Sequence, residues 1–370
     1  MEKFTEAYLS GILSRFAYEG NIRSISQVDS GNVNHTYRVV AETENGDIRQ
    51  YTLQKVNTYV FKDPKKVMSN ILAVTEHLKE KYQEIYGDWN RRCLSVVKTK
   101  DESLYYDSPS EGFWRCFVFV DGVCAYDKVE NPRHFYEAGH AFGEFQMNLA
   151  DFDATTLYET IPNFHNTKKR FETFLQSVKN DAASRMHTVR PEIDFFLQRA
   201  DKTAAIVEML EKEEIPVRVT HNDTKLNNVL IDDVTGEAIC VIDLDTVMPG
   251  SSLYDYGDAI RYGANTGAED EEDLSRVSLD LNLFEQFTKG FVTKVTGFLT
   301  EKEIDNLALG AYVITLELAM RFLTDYLDGD VYFAMKKPNH NLHRTRAQIC
   351  LAQDMEAKLS TMQEIVNKYR

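Results

Sequence analysis

Three side chains have the types and spacing to do chemistry together: Asp223 and Asn228 in the stretch 219–232 (VTHNDTKLNNVLID), and Asp243 in 241–250 (VIDLDTVMPG). Asp223 and Asn228 stand just ahead of the apolar run 229–231, and Asp243 follows the apolar run 239–242. Short apolar runs bounded by turn signals read as buried strands, and the turn 232–236 (DDVTG) joins the two as a hairpin. A carboxylate and an amide leaving one strand, with a carboxylate leaving the next, can point at one spot. Such a set suits phosphoryl transfer, in which protein groups mainly orient an attacking hydroxyl and hold divalent metal against the phosphates. Asp223 is the candidate general base, or orienting acceptor, for that hydroxyl. Asn228 and Asp243 offer the neutral and anionic oxygens that Mg2+ prefers. If the segment stays extended, Asp245 shares the face of Asp243, where it would bind a second metal or the acceptor; a hydrogen-bonded structural role is the alternative. His221 reads as a brace for the loop. No G-x-S-x-G, H-E-x-x-H or Cys/His cluster offers nucleophilic or zinc chemistry instead.

The elements that must position these groups fall into a β-rich front and a helical back. Phe4, Tyr8, Leu9, Ile12, Leu13 and Phe16 recur at helical spacing, so the chain opens with an amphipathic helix ending near Gly20. Strands are expected at 22–29, 35–43 and about 47–56, then near 94–99 and 113–119. Between them Asp63-Pro64 opens a helix with Val67, Ile71, Val74 and Leu78 on one face. The loop 29–35 (DSGNVNH) is a candidate phosphate cover, because Gly31 and Asn32 permit the positive dihedrals that turn amides toward an anion. An ordinary hairpin turn is the other reading. Lys55 is the basic candidate for the phosphates, but alternation puts Gln54 and Lys55 on opposite faces of the strand, and which one meets the cleft stays open. The helix from Pro64 carries Asn70, Glu76 and Glu80, of which the two acids read as surface charge.

At 120–122 (VDG) strand periodicity gives way to helices, which marks a hinge whose backbone, at Val120, would read an adenine edge. Helices follow at 134–149, 168–179, 192–213, 253–262, 274–295, 301–327 and 342–369. The aromatic-and-amide loop 161–167 (IPNFHNT) reads either as a wall of an acceptor pocket or as a connector. Asp255 and Asp258 read as cap and core braces, and 269–273 (EDEED) as a solvated loop. Two units are expected, 1–120 and 121–370.

Composition sets the outer limits. A chain of 370 residues with 43% hydrophobic and 11% aromatic content is long enough for two cores and describes an ordinary globular enzyme. The formal charge of −16 argues against nucleic acid or an anionic membrane as a general partner. Five cysteines (Cys93, Cys116, Cys124, Cys240, Cys350), with no C-x-x-C pair, read as reduced residues in a reducing compartment. No apolar stretch is read as approaching the ~20 residues of a membrane span, and the start lacks a signal-peptide core. The expectation is a cytoplasmic protein of undetermined oligomeric state.

The spacing His221-x-Asp223-x4-Asn228, with Asp243 standing 20 residues after Asp223, is similar to the protein-kinase catalytic loop and its metal-binding Asp. Asn222 replaces the usual Arg and no Phe-Gly follows Asp243, departures that resemble the aminoglycoside phosphotransferase and choline kinase-like branch. The blocks SGNVNHTY, YTLQKVNTYVF, IPNFHNT, VTHNDTKLNNVL and CVIDLDTVMPGSSLYDYGD, spread over residues 10–350, resemble the N-acetylhexosamine 1-kinases within it. That resemblance implies an α+β, bilobal protein kinase-like fold, with a small β-rich lobe and a larger helical one. It further implies ATP, Mg2+ and transfer to the anomeric hydroxyl of N-acetylglucosamine or N-acetylgalactosamine. By it Asp223 is the catalytic Asp, Asn228 and Asp243 are magnesium ligands, Arg321 and Tyr332 bind the sugar, and His35 touches it. Read from the residues alone, Arg321 has Glu317 and Asp325 four positions to either side, so a helix ion pair also explains it. Two alternatives stand beside the sugar kinase. One is a kinase for choline, an aminoglycoside or another cationic alcohol; the other is an idle member that binds nucleotide or sugar, its ground being the doubtful cation.

Overall fold

The computed structural model describes residues 4–28 and 33–370. Strands β1 Asn21–Val28, β2 His35–Glu42, β3 Ile48–Lys55, β4 Tyr106–Ser108 and β5 Gly112–Val118 form one antiparallel sheet in the order β1-β2-β3-β5-β4. Its register lines up His35, Lys55 and Trp114 in one rank and Thr36, Gln54 and Arg115 in the next. Because successive side chains alternate, these ranks point to opposite sides. One face, carrying Tyr37, Leu53, Trp114 and Cys116, closes over helix α1 Glu6–Leu13, whose Leu9, Ile12 and Leu13 are buried. The opposite face, with Phe113 and Phe117, joins the larger core shared with the helical half. The sheet is therefore a partition, with Gln54 and Arg115 on the side of the helices.

Helix α2 Pro64–Tyr86 starts where the Asp63 carboxylate accepts from the Lys66 amide and stops at Gly87, φ 70°. Val67, Ile71, Val74 and Leu78 are all buried, as their spacing predicts. Asn70 shares that burial and donates Nδ2 to the carbonyls of Tyr158 (2.8 Å) and Val247 (2.9 Å), which ties α2 to the helical half.

The chain crosses over through β6 Val123–Cys124 into α3 Pro132–Asn148, α4 Thr167–Asn180, α5 Arg190–Leu197 and α6 Ala200–Glu211. Short strands β7 Arg218–Thr220, β8 Val229–Asp232, β9 Ala238–Val241 and β10 Met248–Gly250 come next. Helices α7 Ser252–Gly263, α8 Leu281–Val295, α9 Glu301–Ile304, α10 Leu307–Asp328 and α11 His340–Lys368 complete it. The β8–β9 hairpin forms where the two apolar runs place it, and β6 pairs with β8. At the crossing of α7 and α10, a Cβ on Gly257 would strike the Gly310 carbonyl and one on Gly310 the Leu253 carbonyl, so these helices meet backbone to backbone.

Several expectations need correction. Residues 94–99 form two isolated bridges, Val96 to Phe117 and Thr99 to Phe16, rather than a strand, and β4 takes the other end of the same edge of β5. The expected helix 192–213 is two, α5 and α6, and the one at 301–327 breaks between α9 and α10. The helix expected from 274 begins at Leu281. Helix α10 is long and apolar enough to cross a membrane, against the reading that no such stretch exists; 78% of that window is buried inside the fold, which accounts for its composition.

Candidate active site

The loop carrying Asp223 is held from behind. After β7 the chain turns at Asn222, φ 63°, a left-handed conformation that Asn enters more readily than most residues. Asp255, buried in the first turn of α7, accepts from the amides of His221 (2.8 Å) and Asn222 (2.7 Å) and from Nε2 of Gln146 (2.8 Å). Burial pushes its carboxyl up, and these donors pull against that. His221 is fully buried, with the rings of Phe142 and Phe145 edge-on. Its Nε2 stands 2.8 Å from the Ile242 carbonyl and so donates there, leaving Nδ1 to accept from the Asp223 amide at 3.3 Å. His221 thereby ties the loop to the second strand of the hairpin.

In front of this brace the three sequence-singled residues come together. Asn228 donates Nδ2 to the Asp223 carbonyl (2.8 Å) and to Asp223 Oδ2 (3.2 Å), which turns its side-chain oxygen outward without a protein partner among the described residues. Asp243, at φ 60°, is open to solvent yet ringed by protein. That surrounding protein, together with Asp245 and Asp223, pushes its carboxyl up, while Arg115 and Lys225 work the other way. Carboxylates that repel one another around a gap favour a cation in it. Among the described residues no three His, Cys, Asp or Glu close around one point. Lys225 is a residue the sequence reading passed over: Nζ sits 2.6 Å from Asp223 Oδ1. Burial disfavours its charge, but Asp223 and Asp258 outweigh that and raise its pKa. Its position two residues after Asp223 was the available signal.

On the sheet side the question of Gln54 against Lys55 is answered by register. Lys55 Nζ lies 4.6 Å from the Phe4 ring centroid and 5.9 Å from that of Trp114, and His35 meets Phe4 edge-on. Lys55 and His35, expected at the phosphates and at the sugar, thus occupy the α1 face, across the sheet from the catalytic loop. Gln54 faces the helices, donating to Thr36 Oγ1 (3.0 Å) and accepting from Arg115 Nε (2.9 Å). Arg115 Nη1 reaches Asp245 Oδ1 at 2.5 Å, and Asn34 Nδ2 reaches Asp245 Oδ2 at 2.7 Å. Asp245, 3% exposed, is committed to this junction instead of facing a metal or acceptor. Gly31 and Asn32 lie outside the described residues. Val120 is buried at the crossing, and among the described residues its amide and carbonyl have no backbone partner, although Phe119 and Gly122 on either side are paired.

The acceptor-side expectations converge better than their separation in sequence implied. His165, from the loop 161–167, has Nε2 3.4 Å from the Asn222 carbonyl and Nδ1 3.0 Å from Glu317 Oε2. Glu317 is buried and also meets Arg321 Nη1 at 3.3 Å; burial raises its carboxyl, but His165 and Arg321 outweigh that and leave it lowered. Arg321 lies between the rings of Phe164 (5.4 Å) and Phe333 (5.6 Å). Of its two flanking acids, then, Glu317 pairs with it. Asp325 instead accepts from the amides of Val331, Tyr332 (2.8 Å each) and Phe333 (2.9 Å) and from Asn341 Nδ2 (2.8 Å). Tyr332, 59% exposed, points outward from that loop together with Val331.

Residues 24–279 match the model of the phosphotransferase enzyme family. Among solved structures, an aminoglycoside phosphotransferase from Alicyclobacillus acidocaldarius is similar over 100% of this chain and 98% of its own, at 12% identity and a TM-score of 0.61. An amicoumacin kinase in complex with AMP-PNP and Ca2+ matches over 99% and 94%, at 12% identity and a TM-score of 0.55. An ethanolamine kinase from Plasmodium vivax matches over 88% and 82%, at 16% identity and a TM-score of 0.53. At these identities the likeness is one of fold.

Proposed function

The chain belongs to the phosphotransferase enzyme family, and from that premise we propose that it transfers the γ-phosphate of ATP to the anomeric hydroxyl of an N-acetylhexosamine. Asp223 orients the sugar hydroxyl and takes its proton late in a loose transition state. The outward oxygen of Asn228 and the carboxylate of Asp243 would hold Mg2+, which when bound neutralises charge on the phosphates. Lys225, fixed beside Asp223, adds a positive charge next to the hydroxyl that attacks. The unpaired backbone of Val120 would take the adenine edge.

One observation supports a neutral sugar over a cationic alcohol: Arg321, steadied by Glu317 between Phe164 and Phe333, joins the catalytic loop through His165. A fork of donors beside aromatic faces suits a polyol. Arg170 stands near as well, its pKa lowered by burial and by Arg321, so a cationic acceptor would add to a repulsion already present there. A quaternary or protonated amine would need that cage for itself.

A coupled ADP-release assay tests this with N-acetylglucosamine, N-acetylgalactosamine, choline, ethanolamine and an aminoglycoside as acceptors. Phosphorus NMR of the product separates an anomeric phosphate from phosphate on another alcohol. Turnover of a cationic acceptor with none of either N-acetylhexosamine discards the sugar and leaves the alternative, a cationic-alcohol kinase.

A further inference from the structure

Phosphoryl transfer needs a cation on the nucleotide's phosphates, and Lys55, on the α1 face, is badly placed to be it. Arg38 shares the face of Gln54 but sits toward the crossing, on Gln50 Oε1 at 2.6 Å and against the ring of Phe119. That leaves Arg115. It projects from β5 beside Gln54, is 2% exposed, and reaches the residue two positions after Asp243. Gln54 fixes its Nε and Asp245 its Nη1, while Nη2 has no partner among the described residues and is not sealed in.

We propose that Arg115 is the cation that binds the nucleotide phosphates, with Asp245, Gln54 and Asn34 acting as positioning residues that hold its guanidinium at the junction of the two halves. The proposal rests on reading the gap as a nucleotide site. Asp245 balances the buried charge and sets the plane of the guanidinium. The free edge is left to meet phosphate oxygens in the forked geometry that arginine favours and lysine lacks. Phosphates bridged to a metal at Asp243 would lie next to that edge. The doubtful cation, which was the ground for an idle member, then has a substitute from another strand.

Removing Arg115 alone would strand the buried Asp245 carboxylate, so the informative variant is Arg115→Gln combined with Asp245→Asn, accompanied by Arg115→Lys. Calorimetry on the full chain without acceptor compares ATP and ADP, each with Mg2+, against adenosine. The wild type should prefer the phosphorylated ligands. The double variant should bind ATP and ADP about 10- to 100-fold more weakly, the weight of a charged hydrogen bond, and adenosine as before. Arg115→Lys should fall between. Equal losses for ATP and adenosine would make the pair merely structural and overturn the proposal. So would a Lys55→Met variant that abolishes the phosphate preference while the double variant keeps it. A wild type that binds adenosine as tightly as ATP would overturn Arg115's role alone, whereas one that binds none of the three would sink the nucleotide reading of the gap, and Arg115's role with it.

Discussion

Each catalytic-loop side chain has its second hydrogen-bonding site occupied, so its first is aimed. His221 gives one nitrogen to Ile242 and the other to the Asp223 amide, and Asn228 turns its NH2 inward on Asp223. Asp223→Asn keeps the backbone contacts of this loop and the bulk of the side chain but removes the proton acceptor, and its NH2 must face either Asn228 or Lys225. Its kcat should fall about 10²- to 10⁴-fold, the usual weight of a general base, with ATP affinity by calorimetry unchanged. Activity near that of the wild type would remove Asp223 from its assigned role. These residues were readable because one hairpin brings them together and spacing encodes that hairpin. Arg115 was not readable, since its partner is 130 positions away and its side of the sheet depends on knowing that β3 pairs with β5. The same limit holds for Gln54 and Lys55: alternation shows that neighbours part company, but only register shows which of them meets the helices.

Secondary-structure elements reach the site through two buried carboxylates, Asp255 under the catalytic loop and Asp325 under the loop carrying Tyr332. Asp325 accepts from three successive amides, so Asp325→Ala releases the whole turn, including Tyr332 and Phe333. We expect the KM for the acceptor to rise by about tenfold or more, one or two lost hydrogen bonds' worth, while the KM for ATP stays put. A matching rise in both would mean a general loss of structure. The crossing of α7 and α10 makes a second test. Gly310→Ala puts a methyl against the Leu253 carbonyl, and overpacking of this kind costs about 1–3 kcal/mol, read as a lower thermal midpoint. An unchanged midpoint would show that the helices can part. Helix faces were readable throughout, as the buried Val67, Ile71, Val74 and Leu78 show. Breaks were not. Gln198 and Arg199 separate α5 from α6 without a Gly or Pro; what divides them is packing, with Phe195 and Phe196 buried on one side and Ile206, Val207 and Met209 on the other.

Across the molecule as a whole, the surface and the acceptor side differ in charge. The formal charge is −16, yet Arg170, Arg321 and Lys225 gather near the catalytic loop. An acidic surface steers a cationic acceptor inward at low salt, and the effect fades as the Debye length falls from about 30 Å at 0.01 M to about 8 Å at 0.15 M. A neutral sugar feels no such field. With ATP and Mg2+ saturating, kcat/KM for an N-acetylhexosamine should therefore hold within about twofold across that range, whereas a steered cation should lose about tenfold or more. The Arg115–Asp245 pair does not confuse the result, because a pair buried on both sides is screened far less than surface charge. A cationic acceptor that turns over faster than either sugar at low salt and loses that lead as salt rises would mean that a net positive charge on the acceptor is being recognised. The cluster around Arg321 would then be serving a cationic substrate rather than a neutral one.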